Sequence, residues 1–519
     1  MIGLILTFIF FIILPFTSFI YSRELSKALS ILFFLLALFF LIKKQPKIKI
    51  PKSSYKFLSF KIISVFLIIL YSFHLALLHF HHLNSFFLTT NDYGMIAEVL
   101  WETLKGNFYK SNFLGDQDTS NYLSHHFSPG IIILSPFLLL NDSRFGYAIG
   151  LLIFNISSLF LYREIVFNII KNNTYRILIF LILIFNIYSY RLFTSYHFES
   201  LFLFSFLGII YSIIKKNKYL ETFFFLFSLS IKEDIAIYLF LFGIVFFFKK
   251  DKLRFLLYSG ISLIYFIVII PFFQNLLDNT AKENWYILWN NLGNSPGEIL
   301  LSPLFKTKLI VYNILNSYKL FVDLGNSLGW IFLFSGVYLF PVSIIYLIHI
   351  LSSRIWYNEF YHYYSYTILP FLLAGTIIGF RSFQNYKKFN KKRFIIFFIL
   401  SFLFFRISSE KEFPLKYNEV NFSRKNDILE VIKNIPENKE ISISFDIGAI
   451  LPRKFDLYPI VENKNFKEYI LVDMNSFSPY YSTGKIEERL KKSLKAQKIQ
   501  LIYKKNRVKL YKKVKETKL

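Results

Sequence analysis

The chain has 519 residues, of which 54% are hydrophobic, carries a net charge of +27 and contains no cysteine. The absence of cysteine excludes disulfides, thiolate nucleophiles and metal sites built on thiolates. The positive charge lies in loops directly beside apolar runs, which is typical of membrane proteins and argues against nucleic-acid binding.

Nearly uncharged apolar runs recur along the chain and predict membrane-spanning helices, because about 20 apolar residues cross the core of a bilayer. The core of a soluble protein can bury one or two such runs, but it cannot bury all the runs found in this chain. The run at 130–140 is too short to span alone, and we expect it to lie at the membrane interface or to dip into the bundle. The other clear runs are residues 2–20, 28–42, 62–78, 176–189, 199–214, 220–231, 235–248, 255–273 and 394–405.

Basic loops set the expected orientation, since Lys and Arg concentrate in the cytoplasmic loops of membrane proteins. Together with the apolar runs they predict about thirteen spans, with the N-terminus in the cytoplasm and the C-terminal region on the other side. The loop 80–143 and the tips near 191–198 and 232–234 then lie outside the cytoplasm. The basic loops lie at 43–56, 215–218, 249–254 and 381–393.

Three regions follow from this pattern. Residues 1–45 are expected to add two N-terminal transmembrane helices, 46–406 to form the main transmembrane domain, and 407–519 to form a soluble α/β domain. The predicted elements of the soluble domain are strands at 440–445 and 468–473, a helix at 484–496, and a hairpin of 499–504 with 507–511. The predicted fold class is therefore an α-helical multipass membrane protein with a small extracytoplasmic α/β domain.

Ionisable residues beside or within apolar runs are functional candidates, because each costs about 2.5–3.5 kcal/mol inside a span. One group contains Asn91-Asp92-Tyr93-Gly94, followed by Glu98, Trp101 and Glu102. In this group Asp92 is either a catalytic carboxylate or the cap of a short helix. A second group, His125-His126, precedes the short apolar run and is either a functional pair or a pair of loop histidines near lipid headgroups.

Two further groups lie at tips between apolar segments. Tyr196-His197-Phe198-Glu199 marks one tip, which is either simply solvated or functional. Lys232-Glu233-Asp234 interrupts an apolar stretch from 220 to 248, which is long for one span and short for two. Three charges are tolerable at the shared end of two short helices if they line a polar cavity. Such a cavity suits base-assisted or metal-assisted transfer to a hydroxyl, or ion-coupled transport.

Six motifs follow one another along the chain. They are Asn91-Asp92-Tyr93-Gly94 with Trp101 and Gly106, His125-His126-Phe127-Ser128-Pro129 with Pro136, Tyr196-His197-Phe198-Glu199, Lys232-Glu233-Asp234, Leu292-Gly293-Asn294-Ser295-Pro296, and Tyr361-His362-Tyr363-Tyr364 before Pro370. Their order and spacing resemble the predicted membrane proteins grouped as domain of unknown function 2079, over residues 60–510. That family commonly has Phe-Asp in the first motif, where this chain has Asn91-Asp92.

The family in turn resembles the glycosyltransferase C superfamily, which includes protein mannosyltransferases and lipid A aminoarabinose transferases. The resemblance implies a long first outer loop with an acidic residue near the reaction centre, and Asp92 matches that position. It implies transfer of a sugar from a polyprenyl-phosphate donor to an acceptor hydroxyl, with Asp92 as the base toward that hydroxyl. We therefore expect an integral protein of the cytoplasmic membrane of a prokaryote, with its active site on the extracytoplasmic side.

Chemistry suggests roles for the remaining candidates of the substrate site. The donor phosphate needs a cationic partner, for which Lys232 is the candidate. His126 and His197 are candidates to hold the phosphate or a metal ion. Tyr93 and Trp101, which accompany the predicted base, complete the predicted substrate site.

The cofactor is left open, with a divalent metal ion as the candidate. Its possible ligands or their supporting groups are Glu199, Glu233 and Asp234. The expected partners are the polyprenyl-phosphate-linked sugar and membrane lipids, with the acceptor unspecified.

Two other functions remain open on the sequence. A transporter or flippase would explain the charged turn at 232–234 between short helices. A non-catalytic assembly protein would instead act through residues 410–519. In the first case a solute crosses the membrane chemically unchanged, and in the second Asp92→Asn is silent.

Overall fold

The computed structural model describes residues 59–84, 91–114, 120–140, 144–277, 285–360, 362–385, 401, 422–444, 447–448, 451–452, 454–460, 465–474 and 483–514. The two N-terminal helices predicted within 1–45 lie outside these residues. So does the span predicted at 394–405, apart from residue 401. The predicted boundary at 407 also falls outside them.

The first half of the described chain is helical. Its α-helices are α1 Phe60–Asn84, α2 Asn91–Leu104, α3 Tyr122–His125, α4 Gly146–Ile169, α5 Asn173–Phe185, α6 Ile187–Thr194, α7 Leu201–Lys215, α8 Lys218–Ile231 and α9 Ile235–Phe248. Short 3-10 helices at Pro129–Leu140 and Phe198–Ser200, and the two-residue strands β1 Lys110–Ser111 and β2 Ser120–Asn121, complete it.

The second half of the membrane part mixes helix types. Its α-helices are α10 Lys252–Phe255, α11 Ile261–Ile264, α12 Ile270–Leu277, α13 Pro296–Phe305, α14 Thr307–Asn316, α15 Tyr318–Ser327, α16 Leu339–Ile350, α17 Ile355–Asn358 and α18 Leu369–Asn385. Two π-helical turns, Leu256–Gly260 and Tyr265–Ile269, join α10 to α12 into one rod. The 3-10 helices are Trp285–Trp289, Ile331–Tyr338 and His362–Thr367.

Among the described residues, five helices are long and apolar enough to cross a membrane. They are Phe60–Asn84, Gly146–Ile169, Phe198–Lys215, Lys252–Leu277 and Ile331–Ile350. A sixth span results if α5 and α6, which meet at a bend of 48°, are taken together. Several helices able to span a membrane are thus present, whereas the predicted total of about thirteen spans is not confirmed.

Asparagine side chains fix several of the helix starts. The Asn186 side chain accepts hydrogen bonds from the first amides of α6 and donates to the carbonyl of Ser327 at 3.3 Å, so the bend between α5 and α6 is held from both sides. Asn217 caps α8 after Lys216 ends α7 in the left-handed conformation. The motif at 292–296 is likewise a helix start, because Ser295 accepts from the Glu298 amide while Glu298 accepts from the Asn294 amide.

The charged motif at 232–234 is the turn between α8 and α9, as predicted. Each helix has 14 residues and is therefore about 21 Å long, which is less than the roughly 30 Å of a bilayer core. The turn is consequently carried toward the interior of the bundle, where the neighbouring side chains must supply partners for its charges.

The apolar run at 129–140 packs as a 3-10 helix against α2, α4 and α8. Gly130 permits the contact with α8, because a Cβ at this position would lie 2.9 Å from the Ser230 carbonyl oxygen and would overlap the Ser230 hydroxyl. Contact with the bundle is thus observed, while the choice between the membrane interface and a dip into the bundle stays a prediction. Gly130 therefore brings the His125-His126 segment next to the 232–234 turn.

The C-terminal part is an α/β unit with a five-stranded sheet in the order β4-β3-β5-β7-β6. Strands β3, β4 and β5 are parallel, whereas β5–β7 and β7–β6 are antiparallel. The elements are α19 Phe422–Ile432, β3 Glu440–Ile443, β4 Asp456–Pro459, β5 Tyr469–Asp473, α20 Thr483–Lys495, β6 Ile499–Lys505 and β7 Val508–Lys513. The predicted strands, charged helix and hairpin are confirmed, while β4 and α19 were not predicted.

The hydrophobic core of this unit is continuous with the core of the helix bundle. Ile428, Leu451 and Phe455 belong to the same buried cluster as Ile96 and Leu100 of α2. The sheet is therefore docked through apolar packing onto helix α2, which begins at Asn91.

We predict that Gly130→Ala destabilises the protein by about 1–3 kcal/mol, because the new methyl group forces the Ser230 backbone away. The measurement is the midpoint of thermal unfolding in detergent. Gly297→Ala is the matched control, since nothing lies within 4 Å of a Cβ there and alanine favours the helix. Equal midpoints for the two variants would show that the Gly130 contact is not required.

Candidate active site

Four side chains from three separated segments form a connected chain of charged groups. His197 Nε2 lies 3.7 Å from Asp92 Oδ2, and His197 Nδ1 lies 3.5 Å from Glu199 Oε2. Lys232 Nζ donates a hydrogen bond of 2.8 Å to Glu199 Oε1. Helix α2, the tip at 196–199 and the turn at 232–234 thus meet at one point.

The chain runs from solvent into the interior. The Asp92 side chain is 47% exposed, that of His197 is 12% exposed and that of Glu199 is 3% exposed. Lys232, at the far end, is buried. Asp92 is therefore the most accessible of these four side chains, and the other three lie deeper.

Tyr196 sets the direction of the His197 tip. Its backbone has φ +59°, a left-handed conformation that is unfavourable for a residue with a Cβ. The buried Tyr196 ring packs against Tyr93 and His79, and its hydroxyl lies 3.1 Å from His82 Nδ1. These contacts hold the unusual backbone and turn the next residue, His197, toward Asp92.

Aromatic rings form the wall behind the charged groups. The Tyr363 ring stacks on His197 with centroids 3.7 Å apart and an interplanar angle of 16°. Lys232 Nζ lies 5.6 Å from the centroid of Tyr363 and 5.7 Å from that of Tyr366, within the range of cation–π attraction. The sequence analysis included Tyr363 in a family motif but assigned it no role, and it did not select Tyr366 as a candidate.

Asp234 is held by phenol groups. It accepts hydrogen bonds from Tyr366 Oη and, at 3.3 Å, from Tyr238 Oη, which itself lies 3.3 Å from the hydroxyl of Tyr357. Burial raises the pKa of the Asp234 carboxyl to about 6, against the opposing effect of the Lys232 ammonium. Asp234 therefore changes charge closer to neutral pH than an ordinary aspartate.

His126 joins the site through Glu233, since its Nδ1 lies 2.8 Å from Glu233 Oε1. Loss of water opposes ionisation of Glu233, but the charge of the His126 imidazole, its hydrogen bond and the charge of Lys232 together hold the pKa of Glu233 below its usual range. Both histidines lie near the 232–234 turn, but they contact different carboxylates. His126 contacts Glu233, whereas His197 contacts Asp92 and Glu199.

The three candidate metal ligands make separate contacts: Glu199 with Lys232, Glu233 with His126 and Asp234 with tyrosines. Each keeps one buried carboxylate oxygen that has no hydrogen-bond partner in the described part of the chain. Free carboxylate oxygens of this kind can bind a cation. Among the described residues, however, the acidic side chains whose ligand atoms lie within 4.8 Å of one another are a different group. The metal role of these residues remains a prediction.

That other group consists of Glu98, Glu102 and Asp456. Two basic side chains already offset much of its negative charge, because Arg144 pairs with Glu98 while Lys105 pairs with Glu102 and, at 2.8 Å, with Asp456. These ion pairs compete with the binding of a metal ion by the same carboxylates.

Two predicted substrate contacts lie away from the connected side chains of Asp92, His197, Glu199 and Lys232. Tyr93 is 1% exposed, and its hydroxyl donates to the Arg144 carbonyl at 3.0 Å. Trp101 follows Asp92 by nine positions on the same helix, which is about 13 Å along the axis, and packs partly exposed against the core. Their roles in substrate binding remain predictions.

The fold and site together define a helical membrane protein with a polar, partly open cluster at one end of its bundle. The family described as "Predicted membrane protein (DUF2079)" matches residues 82–508, and the chain belongs to that family. No curated protein sequence matches the chain.

Among solved structures, the chain is similar to the crystal structure of ArnT from Cupriavidus metallidurans bound to undecaprenyl phosphate. The sequence identity is 7%, the TM-score is 0.44, and the match covers 86% of this chain and 98% of ArnT. A likeness at this level carries no functional argument.

We predict that Lys232→Met lowers the free energy of unfolding by about 3–5 kcal/mol, because it leaves the Glu199 carboxylate buried without its cation. The double variant Lys232→Met/Glu199→Gln should recover part of this loss, since neither residue is then charged. Thermal unfolding of the two single variants and the double variant in detergent measures the coupling. Additive losses would show that the pair does not interact.

Proposed function

We propose that the protein is a membrane glycosyltransferase that transfers a sugar from a polyprenyl-phosphate donor to an acceptor hydroxyl. The observation that carries this proposal is the chain from Asp92 through His197 and Glu199 to Lys232, which ends in one exposed carboxylate. A base that is open to solvent yet fixed by buried partners suits the activation of a large, external acceptor.

In the proposed reaction Asp92 accepts the proton of the acceptor hydroxyl. The acceptor oxygen forms a bond to the anomeric carbon of the sugar, and the bond from that carbon to the phosphate oxygen breaks. The polyprenyl phosphate leaves with the electron pair of the broken bond. His197, 3.7 Å from Asp92 Oδ2, orients the carboxylate and is close enough to share the proton after a small movement.

Lys232 then has a role that differs from the one suggested by the sequence alone. Because it is buried and bonded to Glu199, it fixes the Glu199 carboxylate against His197 and adds positive charge behind the site. A direct contact with the donor phosphate would require the Lys232–Glu199 bond to open. We propose that His126, whose side chain is 22% exposed against 10% for that of Lys232, meets the phosphate first.

The proposed enzyme resides in the cytoplasmic membrane with this site outside the cytoplasm. Because the chain has no cysteine, a single introduced cysteine reports its own location without background. The exposed residues Lys492 of α20 and Lys250 after α9 lie on opposite sides in this topology. We predict that an impermeant maleimide labels Lys492→Cys in intact cells, whereas Lys250→Cys reacts only after permeabilisation; the opposite pattern would reverse the proposed orientation.

We predict that Asp92→Asn lowers sugar transfer about 100-fold or more without changing the amount of protein in the membrane. Membranes carrying either form are incubated with radiolabelled polyprenyl-phosphate sugars and endogenous acceptors, and the label that leaves the lipid is measured. Asp251→Asn is the matched control, because Asp251 caps α10 at the end of the bundle away from the 232–234 turn. A parallel sample with EDTA tests the proposed divalent metal.

Other outcomes of this experiment separate the alternatives. If the label stays on the carrier with both forms, across the whole panel of sugars, the glycosyltransferase proposal is wrong. Uptake of an unchanged solute into proteoliposomes would then support a transporter. Equal transfer by wild type and Asp92→Asn would exclude Asp92 as the base while keeping the enzyme class.

A further inference from the structure

Arg144 is a fully buried arginine that the sequence analysis did not single out. Its guanidinium group has five N–H donors, and five hydrogen bonds are present. Nε donates to Glu98 Oε2 at 2.9 Å, and Nη2 donates to the same oxygen. Nη1 donates to the carbonyls of Leu451 and Pro452 at 3.1 and 3.2 Å, and Nη2 donates to that of Phe455 at 3.1 Å.

These bonds join three parts of the molecule. Glu98 belongs to α2, Arg144 directly precedes α4, and the carbonyl groups belong to the segment that leads into β4 of the C-terminal unit. Because a buried guanidinium without acceptors is very costly, the C-terminal segment is needed to complete this arrangement. The membrane part alone supplies acceptors for two of the five donors.

The same residue is connected to the proposed base. Its backbone carbonyl accepts the hydrogen bond from Tyr93, the neighbour of Asp92 in the chain. Glu98 lies six positions after Asp92 on the same helix, α2. Arg144 therefore holds α2 at two points, through Tyr93 near the first turn and through Glu98 in the middle.

Further contacts fasten the C-terminal unit to the same helix. Lys105, just after α2, donates to Asp456 at 2.8 Å, at the start of β4. A Cβ built on Gly448 would lie 3.9 Å from the Cα of Gly94, so the two backbones are in close approach at the first turn of α2. The C-terminal unit is thus linked to α2 at three places. It approaches the beginning of the helix at Gly94, is connected to its middle through Arg144 and Glu98, and is bonded near its end through Lys105.

We propose that the C-terminal α/β unit is a positioning element of the active site, and that Arg144 is the residue through which it sets the position of Asp92. This inference rests on the proposed function. It assigns no chemistry to the C-terminal unit, which acts by fixing α2 relative to His197. A base displaced by about 1 Å loses up to about 100-fold in rate, so the effect falls on turnover rather than on donor binding.

The test uses Arg144→Lys in the full-length protein. Lysine keeps the charge but has three donors on a flexible stem, so at least two of the five bonds are lost. We expect turnover to fall about 10- to 100-fold while KM for the polyprenyl-phosphate sugar stays within about twofold. Arg176→Lys is the matched control, because Arg176 also donates to backbone carbonyls, of Ile170 and Phe167, but lies at the start of α5, away from the site.

A disulfide provides a rescue that a general loss of stability would not show. The pair Gly94→Cys/Gly448→Cys places two cysteines at the close approach of the backbones, where a Cβ at position 448 lies 3.9 Å from the Gly94 Cα, and the chain has no other cysteine. In the Arg144→Lys background, the oxidised pair should restore turnover toward that of the same pair with Arg144 retained. Reduction with dithiothreitol should abolish the recovery.

Three results would overturn the inference: normal turnover in Arg144→Lys, a loss that appears in KM alone, or a loss that persists after the disulfide has formed. If the wild type transfers no label, the proposed function fails, and the rate of disulfide formation becomes the readout. Slower formation with Lys at position 144 than with Arg would then support positioning by Arg144. Equal rates would overturn it independently of any activity.

Discussion

The arrangement of this protein depends on the need of buried charges for partners. Lys232 and Glu199 are both buried among apolar helices, where either one alone would be strongly destabilising. Their pairing brings the turn between two short helices against the tip that carries His197. The other contacts of the site surround this pair. They are the aromatic rings near Lys232, the phenol groups that bond to Asp234, and the approach of Asp92 to His197.

Arg144 and Glu98 form a second buried ion pair. It joins α2 to the start of α4, as the pair of Lys232 and Glu199 joins two tips of the bundle. It differs in needing carbonyl groups from residues more than three hundred positions away. The Lys232–Glu199 pair is connected to Asp92 through His197, and the Arg144–Glu98 pair is connected to it through α2. In the positioning that we propose, the exposed carboxylate is held both by the helix bundle and by the C-terminal unit.

Aromatic residues are so frequent in this chain, with 66 Phe and 35 Tyr, that their number indicates nothing about function. The structure separates a few of them from this background. Tyr363 and Tyr366 contact charged groups of the site, and Tyr196 adopts a left-handed backbone that turns His197. Most of the others that the structure describes fill the core or face outward along apolar helices, as hydrophobic burial and a lipid environment require.

The sequence by itself determined the helical membrane character, the family, the turn at 232–234 and most strands of the C-terminal sheet. These features are local, because they depend on runs of apolar residues, on alternation and on short motifs. It also selected Asp92, His197, Glu199 and Lys232, since ionisable groups beside apolar runs are rare. Only the tertiary structure decided that these four touch, that Tyr93 is buried and that the C-terminal unit is docked through Arg144. Such contacts join residues distant in the chain, and a lone arginine before a span gives no local sign of its partners.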